Sequence, residues 1–290
     1  MVSVDLVAQQ VINGLLFGGQ LAMMAIGLTL IWGVARVLNF SHGAMFMVGG
    51  FVGFFTLGAT GSAIVAVVAA VLVVFVLGYL TEVGLVRPLR DREEFGIPSM
   101  VVTLGLAFLL ENGFIVWIGS QRESFPQFTD VVWNVGGIVL SAQRVFIFGV
   151  SLVALGILFY VISRTKLGLA IRAVSQDNDT ALLMGVRPNR IYAMTFGISA
   201  ALAGLAGVLL APIFAVYPSV GWYPFLLSFV VVMVGGLGSV RGTLLSAIGL
   251  AIVRSISMIW VSSEMAMVIL FGIMIIVLVV YPDGIGGYLE

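Results

Sequence analysis

The stretch VVAAVLVVFVLGYL, residues 67–80, contains no charged residue and shows no alternation of polar and apolar side chains. Strands of membrane barrels do alternate, with one face toward lipid and the other toward the lumen. Helices and closed barrels are the only structures that satisfy their backbone hydrogen bonds inside lipid. The stretch therefore predicts a membrane-spanning helix, and similar runs fill most of the chain.

The overall composition supports an all-α polytopic membrane protein. Of the 290 residues, 61% are hydrophobic and 9% are charged, and the mean hydropathy is +1.21. A soluble domain carries roughly 25% charged residues, so this chain lacks the polar surface that a water-soluble globule needs. The formal net charge is zero, which argues against a nucleic-acid partner. The chain has one histidine and no cysteine, a composition that argues against a metal site and against thiol chemistry.

Nine apolar runs approach the length of about 20 residues that a membrane span requires. They are residues 8–35, 43–59, 62–86, 97–118, 145–163, 191–216, 225–239, 243–262 and 265–281. The run 225–239 is short and ends in GGLGS, so we expect either eight spans with a re-entrant segment or nine full spans. No low-complexity linker divides the chain, and residues 1–290 are predicted to form one integral-membrane domain.

The distribution of Lys and Arg sets the expected orientation, because basic residues gather in cytoplasmic loops. The loops 87–94 and 164–190 carry three and five basic residues, respectively. Both are expected in the cytoplasm, and the loop 119–144 between them is expected outside. Nine crossings would place the amino terminus outside and the carboxyl terminus inside, whereas eight would move one terminus to the other side.

The loop RTKLGLAIRAVSQDNDTALLMGVRPNR, residues 164–190, is the longest polar stretch of the chain. Its first part, 167–174, predicts a short amphipathic helix, and SQDNDTALLMGV predicts a second one. Asp177, Asn178 or Asp179 would cap the second helix, and Gly185 would end it. Such a rigid element fits docking to a soluble protein. The alternative is a helix that lies on anionic lipid through its arginines.

Glycines in two of the runs predict close helix packing, since small residues let helix backbones approach each other in lipid. They are Gly14, Gly18, Gly19, Gly204 and Gly207.

Two glycine-rich segments interrupt the apolar sequence in a similar way. LNFSHGAMFMVGGF, residues 38–51, resembles GLGSVRGTLLSAIGL, residues 236–250. Paired interruptions are typical of transporters built from two related halves with discontinuous helices. Chance similarity is the alternative, because the chain contains 36 glycines.

The same two interruptions hold the candidate substrate-pathway residues. These are Asn39, Ser41, His42, Gly235, Gly236, Gly238 and Ser239. One interpretation of the first group is a surface turn in which Asn39 or Ser41 caps the next helix. The other is a broken helix whose free N–H groups bind a carboxylate near the middle of the bilayer. The second group lacks the lysine of a phosphate-binding loop, so nucleotide binding there is rejected.

Glu111 and Arg254 are charged residues inside apolar runs, where ionisable groups are costly and usually paired. If their helices run in the same direction, the two side chains lie at comparable depth and are expected to form a buried ion pair. The alternatives are that each reaches toward a nearer interface or faces another subunit.

Several blocks of the sequence resemble the inner-membrane permeases of branched-chain amino acid ABC importers, the LivH type. They are residues 27–43, 86–90, 99–112, 165–209, 230–250 and 281–287. The block 165–209 is similar to the family's cytoplasmic loop that contacts ATPase subunits. The resemblance implies that this contact involves Asp177, Asp179, Thr180, Ala181, Gly185, Arg187 and Arg190.

The resemblance also implies a set of partners. These are a second permease subunit, identical or homologous, two cytoplasmic ATPases, an extracytoplasmic solute-binding protein and the lipid of a prokaryotic inner membrane. ATP and Mg²⁺ would bind to the ATPases, so this chain would carry no cofactor and would not itself be an enzyme.

The implied substrate is a branched-chain or other small amino acid. Position 111 is often glutamine and position 254 often acidic in the family, so the two departures here leave urea, short amides and other small solutes open. The rival class is a stand-alone secondary transporter or channel, for which the chain offers only Glu111 and Arg254 as intramembrane ionisable groups. A membrane-embedded enzyme would need a nucleophile with a base or a metal cluster, which the sequence does not provide.

Overall fold

The computed structural model describes residues 4–90, 95–135 and 137–288. Part of the first basic loop, 91–94, and the end of the carboxyl-terminal segment, 289–290, lie outside the described residues. The helices are α1 Val4–Ala35, α2 His42–Thr60, α3 Ala63–Thr81, α4 Gly96–Ile118, α5 Ala142–Arg164, α6 Lys166–Gln176, α7 Asn178–Leu183, α8 Pro188–Phe214, α9 Trp222–Gly235, α10 Val240–Ser257 and α11 Ser263–Val280. A π-helical turn, Glu82–Val86, and a 3₁₀ turn, Arg87–Leu89, extend α3.

The count of spanning helices matches the expectation of eight spans and a shorter segment. Within the described ranges, 8 helices are long and apolar enough to cross a membrane, and the helix Trp222–Gly235 is shorter. The loop 119–144 also contains an antiparallel hairpin of β1, Val132–Val135, and β2, Ile138–Ser141. The protein is therefore a polytopic helical membrane protein, as predicted.

The third helix shows why an apolar sequence forms this kind of span. Its buried residues are Ala66, Ala70, Val74, Gly78 and Thr81. These positions recur every third or fourth residue and make one narrow stripe along the helix. Gly78 lies against Ala200 and the carbonyl of Phe196 in α8. The small residues face α8, and the large apolar side chains are left on the outside of the bundle.

Two groups of helices repeat the same arrangement. After α1 the chain continues through an extended connection to α2, and after α8 it continues through a similar connection to α9. Arg36 and Ala215 are the first residues after α1 and α8, and they are the two described non-glycine residues with positive φ, 55° and 64°. The packing also corresponds. The contact of α1 with α10 matches that of α8 with α3, and the contact of α2 with α4 matches that of α9 with α11.

The second group is inverted relative to the first. A Cβ on Gly14 would meet Ile252 and one on Gly18 would meet Ile248, so α1 and α10 are antiparallel. Gly49 lies against Gly204 and Gly53 against Val208, so α2 and α8 are parallel. Because α2 runs opposite to α1 and parallel to α8, α1 and α8 run in opposite directions. The two related halves are thus α1–α4 and α8–α11, joined by α5, α6 and α7.

The predicted pairing of the two glycine-rich segments is wrong. The counterpart of the connection 36–41 is the connection 215–221, and not the segment 236–250. The Gly236–Ser239 break joins the consecutive helices α9 and α10 at one end of the bundle. The sequence similarity reflects the fact that both segments begin a helix after a glycine-rich or polar interruption.

Contacts at the two ends of the bundle agree with the expected order of the loops. At one end, Gln9 in α1 exchanges two hydrogen bonds with the backbone of Val139 in the hairpin, at 2.8 and 2.7 Å. At the other end, Arg87 Nη2 donates to the carbonyl of Asn189, 3.1 Å away, so the two basic loops meet. The start of α1 and the carboxyl-terminal segment lie at opposite ends, because the shorter helix α9 makes a ninth traverse in addition to the eight long helices.

The glycines predicted to mediate helix packing do so. Gly14 and Gly18 lie against α10, Gly19 lies against the ring of Phe148, and Gly204 lies against Val74. A Cβ on Gly207 would come within 2.0 Å of the carbonyl oxygen of Phe46 in α2.

Candidate functional site

The Asn39–His42 segment lies inside the bundle, so its interpretation as a surface turn is wrong. Asn39, Ser41 and His42 are all buried. The Asn39 Oδ1 atom accepts hydrogen bonds from the backbone N–H and the hydroxyl of Ser41, at 3.1 and 2.6 Å. His42 Nε2 donates to the carbonyl oxygen of Met24, 3.1 Å away. The segment is a structured break between α1 and α2, as the broken-helix interpretation requires.

The beginnings of α2 and α9 meet at this depth. A Cβ on Gly221 would come within 1.9 Å of the carbonyl oxygen of Gly43. A small cavity beside this contact is lined by Phe40, Gly43, Glu111, Gly221 and Trp222, among others. Helix amino termini carry free N–H groups and favour negative charge. A carboxyl group, that of Glu111, already lines this cavity, and a ligand role for the Asn39 segment stays a prediction.

The predicted ion pair between Glu111 and Arg254 is wrong. Glu111 Oε2 accepts a hydrogen bond from Trp222 Nε1 at 2.7 Å. Arg254 donates from Nε and Nη2 to the hydroxyl of Tyr223, at 3.0 and 2.5 Å. Trp222 and Tyr223 are neighbours at the start of α9, which therefore lies between the two charges. Each charged group holds one side of the same short helix.

The second glycine-rich break lies at a different depth of the bundle. Its Gly238 contacts Gly33 in α1, whereas His42 contacts α1 at Gly27, and six residues of helix correspond to about 9 Å of depth. Ser239 Oγ accepts from the N–H of Gly242 and caps α10. An open cavity of about 460 Å³ beside the break is lined by Trp32, Arg36, Gly236, Gly238, Ser239 and Asp283, among others. Gly235 packs against Thr243 and is not part of the cavity wall.

The loop 164–190 forms the two short helices that the sequence predicts. Of the three possible caps, Asp177 is the one used: its Oδ1 atom accepts from the N–H groups of Asp179 and Thr180, at 3.0 and 3.1 Å. Gly185 has φ +83°, and its N–H donates to the Leu182 carbonyl while that of Val186 donates to the Ala181 carbonyl. This left-handed glycine ends the helix α7, because it directs the chain away from the helix axis.

The cap also determines how the loop responds to pH. Hydrogen bonds from the Thr180 hydroxyl and then from the Thr180 and Asp179 backbone lower the pKa of the Asp177 carboxyl. A lowered pKa means that the cap stabilises α7 at every pH above the ordinary aspartate value. The stabilisation is lost only as the pH falls through the lowered pKa.

Apolar side chains are exposed beside this cap. Leu182, Leu183 and Met184 are 57%, 86% and 80% exposed, respectively, and Arg187 and Arg190 are exposed next to them. Of the predicted coupling residues, Ala181 is buried against the bundle. The end of α7 therefore presents an apolar surface edged by charge.

Comparison with known proteins decides the family. The family model described as branched-chain amino acid transport system / permease component matches residues 10–278. The chain belongs to this permease family. The permease is 31% identical to the Escherichia coli (strain K12) high-affinity branched-chain amino acid transport system permease protein LivH, over 96% of this chain and 95% of that protein.

Two further relatives extend the comparison. The permease is 31% identical to the corresponding BraD protein of Pseudomonas aeruginosa, again over 96% and 95% of the two chains. It is 25% identical to the ribose import permease protein RbsC of Escherichia coli (strain K12), over 86% of this chain and 78% of that protein. No solved structure matches the permease.

Two features of the permease were missed at the level of sequence. The first is the break before α9, for which PSVGWYP, residues 218–224, was an available signal with its two prolines and one glycine. The second is an ion pair between the buried Glu82 and the partly buried Arg90, 2.7 Å apart. In the sequence, Arg90 indicates only the orientation of the chain, and the π-helical turn that brings the pair together has no clear sequence signal.

The break between α1 and α2 leads to one test. In Asn39→Ala, the Ser41 N–H and hydroxyl lose their buried acceptor, which costs about 1–3 kcal/mol. We expect uptake through the reconstituted permease to fall roughly tenfold, with a raised KM if a solute binds at the break. Asn112→Ala removes an exposed asparagine of α4 and is the control. Unchanged uptake kinetics in Asn39→Ala would rule out the pathway role of this segment.

Proposed function

We propose that this permease is the membrane subunit of an ABC importer for branched-chain or other small amino acids, driven by ATPase partners that dock on α7. The observation that carries the proposal is the exposed apolar surface of Leu182, Leu183 and Met184 on a helix fixed at both ends. A rigid helix end with an exposed apolar surface, at the basic end of the bundle, fits a protein contact better than a mobile loop does. Lipid binding by Arg172, Arg187 and Arg190 is the competing role for the same loop.

The remaining partners follow from this assignment. A second permease subunit would complete the transmembrane unit, and an extracytoplasmic binding protein would deliver the solute at the end that carries the hairpin. ATP and Mg²⁺ would bind to the ATPases, and the permease itself would catalyse no reaction. The assembly would lie in the inner membrane of a prokaryotic cell with the basic loops in the cytoplasm.

The substrate class is supported by the meeting of α2 and α9. A substrate carboxylate would lie at the amino termini of α2 and α9, beside the carboxyl group of Glu111, and the adjoining apolar surface of Phe40 and Trp222 suits an aliphatic side chain. The relatives with the higher identities are named as branched-chain amino acid permeases. Urea and short amides lack the carboxylate, and they are the alternative substrates to be tested.

The inverted halves suggest how the permease would move a solute. Closure of the ATPases on ATP would displace α7 and the helices joined to it, α6 and α8. The two halves would then rock against each other and expose the central break first to one side and then to the other. ATP would drive this change only through its different affinity for the two states of the ATPases.

Reconstitution tests the proposal directly. The permease is placed in liposomes with its candidate partner permease, ATPases and binding protein, and uptake of radiolabelled leucine is measured against uptake of urea and acetamide. We expect uptake of leucine only with ATP inside the liposomes and the binding protein outside. An ATPase variant that binds but does not hydrolyse ATP is the control.

The other outcomes identify the rival functions. Uptake of urea or acetamide in place of leucine would overturn the amino acid assignment and retain the importer. Uptake that follows an ion gradient and needs neither ATP nor partners would instead identify a secondary transporter or channel.

A further inference from the structure

A partly buried ion pair lies where α3 reaches the basic end of the bundle. Glu82, the first residue of the π-helical turn, has no exposed surface, and its Oε1 atom accepts a hydrogen bond from Arg90 Nη2 at 2.7 Å. Burial of a carboxylate and a guanidinium is costly unless the two remain paired. π-Helical turns are rare, and they often occur at functional sites. The pair therefore fixes the position of Arg90 relative to α3.

Arg90 also contacts the beginning of α8. The guanidinium carbon lies 3.6 Å from the centre of the Tyr192 ring and 5.1 Å from the centre of the Phe95 ring. A guanidinium can stack flat on an aromatic ring and still donate hydrogen bonds in its own plane, which an ammonium group cannot do. One side chain thus holds α3 and α8 together through two different kinds of contact.

The tyrosine carries this connection to the docking helix. Tyr192 donates a hydrogen bond from its hydroxyl to Asn178 Oδ1, 3.3 Å away. Asn178 is the first residue of α7 and follows the cap Asp177 directly. A continuous series of contacts therefore runs from Asn178 in α7 through Tyr192 and Arg90 to Glu82 in the π-helical turn that follows α3.

We propose that Arg90 is a positioning residue that links the movement of α7 to α3. The inference rests on the proposed function, because α7 moves only if ATPases dock on it. Arg90 would provide a second connection between α7 and the helix bundle. The covalent connection runs through α6 and α8, whereas the contacts of Arg90 reach α3, which belongs to the amino-terminal half. Both inverted halves would then respond to one docking helix.

The hydroxyl of Tyr192 provides the sharpest test, because its removal leaves the ring beneath Arg90 in place. In the reconstituted importer, we expect Tyr192→Phe to lower the number of leucine molecules transported per ATP hydrolysed by about threefold, as for loss of one hydrogen bond. Asn178→Ala removes only the acceptor of this bond and should have an effect no larger than that of Tyr192→Phe, because the hydroxyl also interacts with Arg90. The double variant should be no worse than Tyr192→Phe, since both lack the bond between Tyr192 and Asn178.

A matched control separates this effect from a general loss of a hydroxyl. Tyr79 lies in α3, and its ring packs on Phe75 with the ring centres 6.5 Å apart. Tyr79→Phe should retain the wild-type ratio of transport to hydrolysis. Wild-type coupling in Tyr192→Phe, or effects of the two single changes that multiply in the double variant, would overturn the inference.

Variants of Arg90 test the link itself. Arg90→Lys keeps the charge beside Glu82 and loses the planar guanidinium over the Tyr192 ring, so its coupling should fall between those of wild type and Arg90→Gln. Gel filtration checks that each variant folds. Failure of ATP-driven uptake in the wild type would overturn the proposed function and this inference with it. Normal wild-type uptake with unaltered coupling in Arg90→Lys and Tyr192→Phe would overturn the inference alone.

Discussion

Replacement of Gly185 by valine is expected to lower ATP-driven uptake at least tenfold while the membrane bundle stays folded. Gly185 has φ +83°, a conformation that costs an L-residue roughly 1–2 kcal/mol and a β-branched residue more. Helix α7 spans only Asn178–Leu183, so it cannot absorb such a strain at its end. The exposed surface of Leu183 and Met184 would then no longer face a docked ATPase. Uptake and co-purification of the ATPase subunits measure the effect.

Asparagine at the same position is the matched control. It adopts the left-handed conformation more readily than other non-glycine residues, and a Cβ at position 185 would meet no other atom within 4 Å. Gly185→Asn should therefore retain most of the uptake. Equal uptake by the valine and asparagine variants would show that the end of α7 has no part in coupling.

The second large effect is expected at Gly49, where α2 crosses α8. A Cβ on Gly49 would lie 2.4 Å from both the Cα atom and the carbonyl oxygen of Gly204. Because these are backbone atoms, the two helices must separate along their length. We expect Gly49→Ala to destabilise the permease by about 3 kcal/mol or more, at the upper end of the range for overpacked cores. Thermal unfolding followed by gel filtration in detergent measures the change.

Gly58 provides the control within the same helix. A Cβ on Gly58 would meet no atom within 4 Å, so Gly58→Ala tests the loss of a glycine in α2 without a clash. We expect its unfolding temperature to stay close to that of the wild type. If Gly49→Ala were as stable as Gly58→Ala, α2 and α8 would not be packed as closely as described.

Local features were the easiest to predict from the sequence. The cap of Asp177, the end of α7 at Gly185 and the helical spans depend on residues a few positions apart, so their patterns are visible in the chain. The short helix before GGLGS was predicted for the same reason. These elements need no knowledge of how the helices pack.

Features that depend on packing between distant helices were predicted less well. Glu111 and Arg254 lie at similar places in their runs, but only the course of α9 shows that Trp222 and Tyr223 separate them. The relation between the halves was mistaken because 36 glycines supply many similar segments. The true counterpart of the first break, 215–221, has little sequence in common with it. Backbone geometry, through the positive φ of Arg36 and Ala215, reveals the correspondence.

The exchange of partners between the halves has a consequence for how the permease is made. The helix α1 packs on α10, and α3 packs on α8, so each half has its closest neighbours in the other half. The hydroxyl of Thr29, for example, has its hydrogen-bond partner in Thr243, 2.7 Å away. During synthesis the first four helices enter the membrane before α8 and α10 exist. The amino-terminal half must therefore remain in the lipid without its contacts to α8 and α10. The helix bundle is completed only when the last helices are inserted.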